Sequence, residues 1–586
     1  MGNQACSCER ASARDSPVFV HRCMFGLSVV KVSDFLRMEG RPLCHQQLQQ
    51  QGLLHEWVPS MFLIFVSHQW LGRFCPDPDG QRMLLLRQAL QGLIDGSLQV
   101  EPPVVGMIYG TAEELSPDMR REMANGYLFM DWFSIPQIHV RQEGVSEEML
   151  KINQELAIQS IPAYVESASL FLVLAPEMQH TELEVICNYT SWLSRGWCRL
   201  ELWCRLLANR ADTSVIILHS ATEAEFIFQF DWQHNTIRDG EFTVESDRDE
   251  VAKLGVVAVE SKIRHLQAHG PIDAYRFYLA HRPTLLGFAA QDWSLEEFLQ
   301  HFSFASLDEA LTTDSGMDGT LCALFAGDAN ILRLLVEHGA DVSRPLRGLN
   351  KLGYYDSMSP LAVATRSNQH PVLLKAMLEL RADVNARTHA GVTALCLAQS
   401  PEHVRILLEA RADLQSPGLP VGITPLTAAS CFANVETVAA MLAARCNVNP
   451  PMEGFGWSPL HGAALFARGN RHSPEKARML LDHRADVNAR AVTSGLFKWV
   501  CRLARAQTAL SGFSACAAKT RFFASLDGIT PLGMAALVGD RRLTEMFLEH
   551  GAGEMPNDRG DGPEDLANAN QHFQLRSMLE VVSVTL

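Results

Sequence analysis

Gly456-Trp457-Ser458-Pro459-Leu460-His461-Gly462-Ala463 carries the pattern on which the fold of this chain turns. A hydroxyl residue followed by proline, leucine and small residues is what the start of a short, closely packed helix requires. The serine can cap free backbone N–H groups. Proline suits a first turn because it has no N–H to leave unsatisfied, and the small residues let a neighbouring helix approach. The same turn returns at Met358-Ser359-Pro360-Leu361, Gly391-Val392-Thr393-Ala394-Leu395, Gly422-Ile423-Thr424-Pro425-Leu426 and Gly528-Ile529-Thr530-Pro531-Leu532. The residues Ser359, Thr393, Thr424 and Ser458 follow one another at steps of 34, 31 and 34, the period of a helical repeat array.

Each copy closes on a second turn, at Ala340-Asp341-Val342, Ala382-Asp383-Val384-Asn385, Ala412-Asp413-Leu414, Cys446-Asn447-Val448-Asn449 and Ala485-Asp486-Val487-Asn488. Between the two turns lie stretches such as Ile331-Leu332-Arg333-Leu334-Leu335-Val336 and Ala477-Arg478-Met479-Leu480-Leu481, whose spacing puts the apolar side chains on one helix face. With Ser458-Pro459-Leu460-His461-Gly462-Ala463 nearly completing its T-P-L-H-x-A consensus, this region resembles the ankyrin-repeat family. The resemblance implies an all-α solenoid over residues 318–586 of about seven units. The first is degenerate at Asp318-Gly319-Thr320, and the last, at Asp561-Gly562-Pro563, serves as a cap. It also implies a protein partner held on the stacked surface.

One interruption breaks the period: Ser458 to Thr530 is a step of 72, and residues 491–526 carry no repeat signature. This insertion holds Lys498, Arg502, Arg505, Lys519 and Arg521 with no acidic residue, interleaved with Leu496, Phe497, Trp499, Val500 and Leu503. Two readings stand: a surface that docks an acidic partner or a membrane, and a degenerate repeat or exposed loop.

Toward the amino terminus the pattern changes. Between residues 58 and 220 short apolar runs alternate with helical stretches, the mark of an α/β sheet. Phe62–Val66, Tyr127–Met130, Leu170–Leu174 and Val215–Leu218 read as buried parallel strands, and Gln81–Ile94, Glu147–Ala168 and Glu201–Ala208 as helices. Residues 1–57 form an amino-terminal segment. Residues 221–317, with helical stretches at Asp249–His269 and Tyr275–Leu286, extend the domain or bridge it to the repeats. The expected architecture is multidomain: an α/β open parallel sheet, then the solenoid.

Ligands of open α/β sheets gather outside the carboxyl ends of the strands. The residues there are Ser67-His68-Gln69-Trp70, Asp131-Trp132-Phe133-Ser134 and, further on, Arg195-Gly196-Trp197-Cys198-Arg199-Leu200-Glu201-Leu202. The last run resembles the W-C-x-x-E-L segment of the Toll/interleukin-1 receptor (TIR) domain, which has a flavodoxin-like fold. Phe65-Val66-Ser67-His68-Gln69-Trp70 resembles that family's opening strand, and Ser160–Glu166 followed by Leu170–Leu174 its later helix and strand. The usual loop signature is missing between Asp131 and Ile161. The resemblance implies one of two activities: self-association as a non-catalytic adaptor, or hydrolysis of NAD at the nicotinamide–ribose bond, with NAD as substrate and no cofactor. In the second, Glu201 is the essential carboxylate, suited to stabilising oxocarbenium character. Trp197, four residues earlier on a helix face, would stack on the ligand, with His68 and Asp131 as further pocket residues. The plainer readings remain open. Trp197, Cys198 and Leu202 would be core residues, Glu201 an exposed carboxylate or a partner of Arg199 or Arg205, His68 structural, and Asp131 a cap of the following turn.

Composition narrows the remaining classes. The 586 residues are 47% hydrophobic and 20% charged, as in soluble globular proteins. Sixty-six acidic against 50 basic side chains give a net charge of −16, which repels phosphate backbones and sets nucleic acid aside. There is no P-loop, dinucleotide-binding glycine motif, H-E-x-x-H or G-x-S-x-G. Cys198 and Cys204, six apart, do not share a helix face as metal ligands would; no metal is expected. Fourteen cysteines without a C-x-x-C pair point to a reducing cytoplasmic setting. The start, Met1-Gly2-Asn3-Gln4-Ala5-Cys6-Ser7-Cys8, comes close to an acylation signal with Gly2 myristoylated and Cys6 and Cys8 palmitoylated, although Cys6 stands where Ser or Thr is usual. Either this anchors the protein to the cytoplasmic face of a membrane, or it is an unstructured start with two reduced thiols.

Overall fold

The computed structural model describes residues 23–583 except 103–114, 139, 141–144, 211, 228–235, 289–290, 416, 514–515 and 571. The acylation candidates Gly2, Cys6 and Cys8 lie outside the described residues.

The amino-terminal body is built on strands β1 (Ser28–Lys31), β2 (Leu54–Glu56), β3 (Leu63–His68), β4 (Val100–Glu101), β5 (Tyr127–Phe129), β6 (Leu170–Leu174), β7 (Met178–Gln179), β8 (Ile186–Cys187), β9 (Val215–Leu218) and β10 (Ala224–Phe226). Eight of them form one sheet in the order β2-β1-β5-β3-β6-β9-β10-β4, while β7 and β8 make a separate hairpin. The four apolar runs form its centre, β5, β3, β6 and β9, all parallel. Numbered by their order in the chain, these four stand 2-1-3-4. Every residue of β3, β6 and β9 is buried, because both sheet faces are covered. One face sends Leu63, Phe65, Phe171, Val173 and Ile217 toward the helices Ile161–Ser167, Gly196–Leu206 and Asp247–His269. The other sends Ile64, Val66, Leu172, Ile216 and Leu218 toward the helix Gln81–Asp95. Phe65 stacks between Phe129 and Phe171, with ring centroids 4.6 and 5.1 Å away.

The expectation of an open parallel sheet is corrected at its edges. The sheet is mixed: β1 runs antiparallel to β2 and β5, and β10 antiparallel to β9. These edge strands are two to four residues long and fall partly before residue 58 and after residue 220. The helix read over Glu147–Ala168 is two helices, Glu147–Gln159 and Ile161–Ser167. The break comes at Ser160, ahead of Pro162, which has no backbone N–H to continue the ladder. The Ser160 hydroxyl there accepts from the backbone N–H groups of Met24 and Phe25 at 2.7 and 3.1 Å.

From Gly319 onward, helix pairs stack in series: Gly319–Ala326 with Ala329–Glu337, Pro360–Arg366 with Pro371–Glu379, Pro425–Phe432 with Val435–Ala443, Pro459–Leu465 with Ser473–Asp482, Pro531–Val538 with Arg541–Glu549, and Pro563–Ala569 with Arg576–Ser583. The unit at Thr393 keeps only a 3-10 turn, Leu395–Leu397, before Pro401–Glu409. The hydroxyls of Ser359, Thr424 and Thr530 cap their helices, accepting from the N–H groups of Ala362, Thr427 and Gly533 at 3.2, 3.3 and 3.1 Å. After the second helix of each of the first six units the chain turns with positive φ, at Gly339 and Gly551 in the first and sixth and at Arg381, Arg411, Arg445 and Arg484 between them. The insertion is a pair of helices, Gly495–Ser511 and Ala518–Leu526.

Candidate functional site

The carboxyl end of β3 gathers the polar residues of the amino-terminal body. Strand alternation puts Ser67 on the face covered by the helix Gly196–Leu206, and its hydroxyl donates a short hydrogen bond to Glu201 Oε2. The same hydroxyl accepts from the indole N–H of the fully buried Trp192 at 2.9 Å. Burial pushes the Glu201 carboxyl up to about 8, with the Ser67 bond opposing and the nearby Asp131 adding to the rise. It is therefore mostly protonated at neutral pH.

Next to it, His68 Nε2 lies 2.9 Å from Asp131 Oδ1, and the indole N–H of Trp70 donates to Asp131 Oδ2 at 2.8 Å. The backbone N–H of Trp132 donates to Oδ1 at 2.6 Å. Burial alone would raise Asp131, but His68 and these donors hold its carboxyl below the ordinary value. Two carboxyl groups at one strand end are thus held in opposite charge states by their surroundings, a recurring feature of acid–base sites and of structural networks alike. The Cys198 thiol is pushed well up by burial and sits 4.0 Å from the His68 carbonyl oxygen.

Of the residues singled out in the sequence, Glu201, His68 and Asp131 come together at this strand end. Trp197 shares the helix of Glu201 but donates its indole N–H to Asp247 Oδ2 at 3.1 Å, on the helix Asp247–His269. Trp192, which supports Ser67 from a separate short helix, belongs to no motif and carried no signal in the sequence. Among the described residues no group of three or more His, Cys, Asp or Glu is placed to hold a metal ion.

The amino-terminal body rests on the repeats. Glu223, just ahead of β10, receives the Arg468 guanidinium in a close ion pair and lies 3.5 Å from His572 Nδ1. Burial would raise its carboxyl, but Arg468 and His572 drive it far below the usual carboxylate range. Arg471 pairs with Glu241 at 2.9 Å and Arg521 with Glu101 at 2.7 Å. At Gly469 a Cβ would come within 2.8 Å of the Tyr189 ring, so the backbone there meets the body directly. A cavity of about 890 Å³ remains at the junction, bounded by Tyr189, Leu193 and Glu225 on one side and Asn434, Phe466 and Asn570 on the other. The repeat residues that line this cavity, such as Ser367–Asn368, Ala433–Asn434 and Arg468–His472, are the turns between the two helices of each pair.

The opposite edge of the array carries the other turns, joined by a ladder of side-chain amides. Asn385 donates to the Arg411 carbonyl at 3.3 Å and accepts from the Asp413 N–H at 2.8 Å. Gln415 does the same with Arg445 and Asn447, at 3.1 and 3.1 Å. Asn449 repeats it with Arg484 and Asp486, at 3.0 and 2.9 Å. Asn488 repeats it again with Gly551 and Gly553, at 3.2 and 2.8 Å. Each amide fixes one turn to the next.

The family description "Ankyrin repeats (3 copies)" matches residues 396–491. These residues are ankyrin repeats. Ankyrin repeat and SOCS box protein 6 of Homo sapiens is 36% identical over 103 residues, covering 16% of this chain and 23% of that protein. The protein of the same name from Pongo abelii is 35% identical over 103 residues, with the same shares. The chain thus spans about a quarter of the length of the curated relatives it matches. A crystal structure of the human ASB11 ankyrin repeat domain is similar at 24% identity and a TM-score of 0.29, covering 43% of this chain and 95% of that domain. Ankyrin repeats are a protein-binding scaffold. No helix among the described residues is long and apolar enough to cross a membrane.

Proposed function

We propose that this protein is a signalling scaffold that holds a protein partner on the turn row of its ankyrin repeats, with a TIR-like α/β body docked on the opposite edge. The observation that carries this reading is the placement of the body against the inter-helix turns, which leaves the row containing Asn385, Gln415, Asn449 and Asn488 open to solvent. Exposed turns on a rigid scaffold are where binding specificity resides. The test is a photo-crosslinking side chain placed in turn at Gln415 and at Asn434. A partner trapped from Gln415 but not from Asn434 supports the reading; the reverse overturns it. Acylation at Gly2, Cys6 and Cys8 belongs to the same proposal, as a means of holding the scaffold at the cytoplasmic face of a membrane.

For the α/β body the 2-1-3-4 order of the parallel strands supports a TIR-like, flavodoxin-type arrangement. A non-catalytic adaptor that self-associates fits best, because a protonated Glu201 tied to Ser67 offers no negative charge to an oxocarbenium ion at neutral pH. A second reading, NAD hydrolysis, is favoured by one observation: Glu201, His68 and Asp131 gather where the strand order reverses, the position at which such sheets bind ligands. Nicotinamide release from NAD that climbs as pH rises through about 8 and disappears in Glu201→Gln would establish the enzyme. No release across that range leaves the adaptor.

A further inference from the structure

The insertion helix Gly495–Ser511 has two apolar faces and only one of them is covered. Cys501, Ala504 and Thr508, spaced three and four apart, are buried against the rest of the molecule. On the other side Leu496, Trp499, Leu503 and Leu510 are spaced three, four and seven apart, so they share one face. They are 69%, 62%, 69% and 88% exposed. An ordinary surface helix turns charged residues outward. Here the outward stripe of large apolar side chains runs for about 21 Å along the helix.

The charge around the stripe says what covers it. From residue 487 to 526 there are six basic residues and no acidic one, in a chain of net charge −16. Three of the six serve the fold: Arg490 pairs with Asp558, Arg505 with Asp527 and Arg521 with Glu101. The other three, Lys498, Arg502 and Lys519, are exposed. Lys498 and Arg502 are one helical turn apart beside the stripe, and the Arg502 guanidinium lies 5.5 Å from the centre of the Trp499 ring.

We propose that this helix seats the protein on an anionic lipid surface. Leucine and tryptophan side chains enter the boundary between headgroups and acyl chains, while lysine and arginine meet the phosphates, as in helices that lie in the membrane interface. A second copy of this chain is a poorer occupant, since pairing the stripes would bring Lys498 and Arg502 against like charges. The net negative charge elsewhere does not prevent the approach, because ions screen it beyond roughly 8 Å. The inference depends neither on the ankyrin partner nor on the chemistry of Glu201.

The experiment is co-sedimentation of the full chain, carrying Gly2→Ala, Cys6→Ser and Cys8→Ser so that no acyl chain contributes, with phosphatidylcholine vesicles made with and without phosphatidylserine. Binding is expected to the phosphatidylserine vesicles and to weaken with salt. The pair Lys498→Ala with Arg502→Ala should lose about thirtyfold in partitioning. Trp499→Ser with Leu503→Ser should lose about a hundredfold. All four side chains are exposed, so an unchanged circular dichroism spectrum is expected of both variants. Three results would each overturn the proposal: no binding to either vesicle, binding that neither variant reduces, and a dimer or protein complex lost in the serine variant with no vesicle binding.

Discussion

Glu201 is the residue whose charge state most distinguishes the amino-terminal body. Its carboxyl is raised from an ordinary 4.5 to about 8, so the folded protein holds its proton more tightly than the unfolded chain does. The stability this contributes is complete below pH 4.5 and is lost progressively as the pH climbs to about 8. Glu201→Gln keeps the neutral shape and has no proton to lose. Its melting temperature is therefore expected to gain on that of the wild type as pH rises through that window. Thermal scans of both proteins in parallel buffers check this, and a constant difference between them would refute it. At this scale the sequence was partly legible. Glu201, His68 and Asp131 stood at strand ends or in a recognisable run, and strand ends are where ligand groups converge. The Ser67 bond to Glu201 and the support of Trp192 were not legible. They join residues 134 and 125 positions apart, and only the packed sheet brings them together.

At the scale of elements, the repeat helices depend on their hydroxyl caps. Thr424 accepts from the Thr427 N–H and also shares a 2.9 Å contact with the Thr427 hydroxyl. Thr424→Ala should cost about 1 kcal/mol, read as a lower denaturation midpoint for the repeats with little change in the α/β body. The repeats were legible because one turn signal recurred at a fixed step. The four central strands were legible because a strand covered on both faces must be a continuous apolar run. The edge strands escaped for the converse reason. Val100–Glu101 and Leu54–Glu56 are short and mixed in polarity, and their pairing comes from their neighbours rather than from any pattern of their own. The insertion showed its composition but not its conformation, since an amphipathic pattern with two apolar faces does not say which one turns inward.

For the whole molecule, one contact that ties the body to the repeats is Glu223 with Arg468 and His572, and nothing in the local sequence announces it. Removing the guanidinium leaves a largely buried carboxylate with only imidazoles beside it, a loss of about 3 kcal/mol. Arg468→Ala is expected to loosen the α/β body from the repeats, seen as a larger radius in small-angle scattering and faster cleavage between residues 286 and 319. Pairing it with Glu223→Gln should restore the compact form, and failure of that rescue would show that the contact does not hold the two parts together. The placement of that contact has a mechanical result. A repeat array can lengthen under tension like a coil, because each unit touches only its neighbours. Glu223 grips Arg468 in one unit and His572 two units further on, so the body acts as a rigid splint across that stretch. Pulled from its ends, the array should keep its length between Arg468 and His572 until the splint lets go.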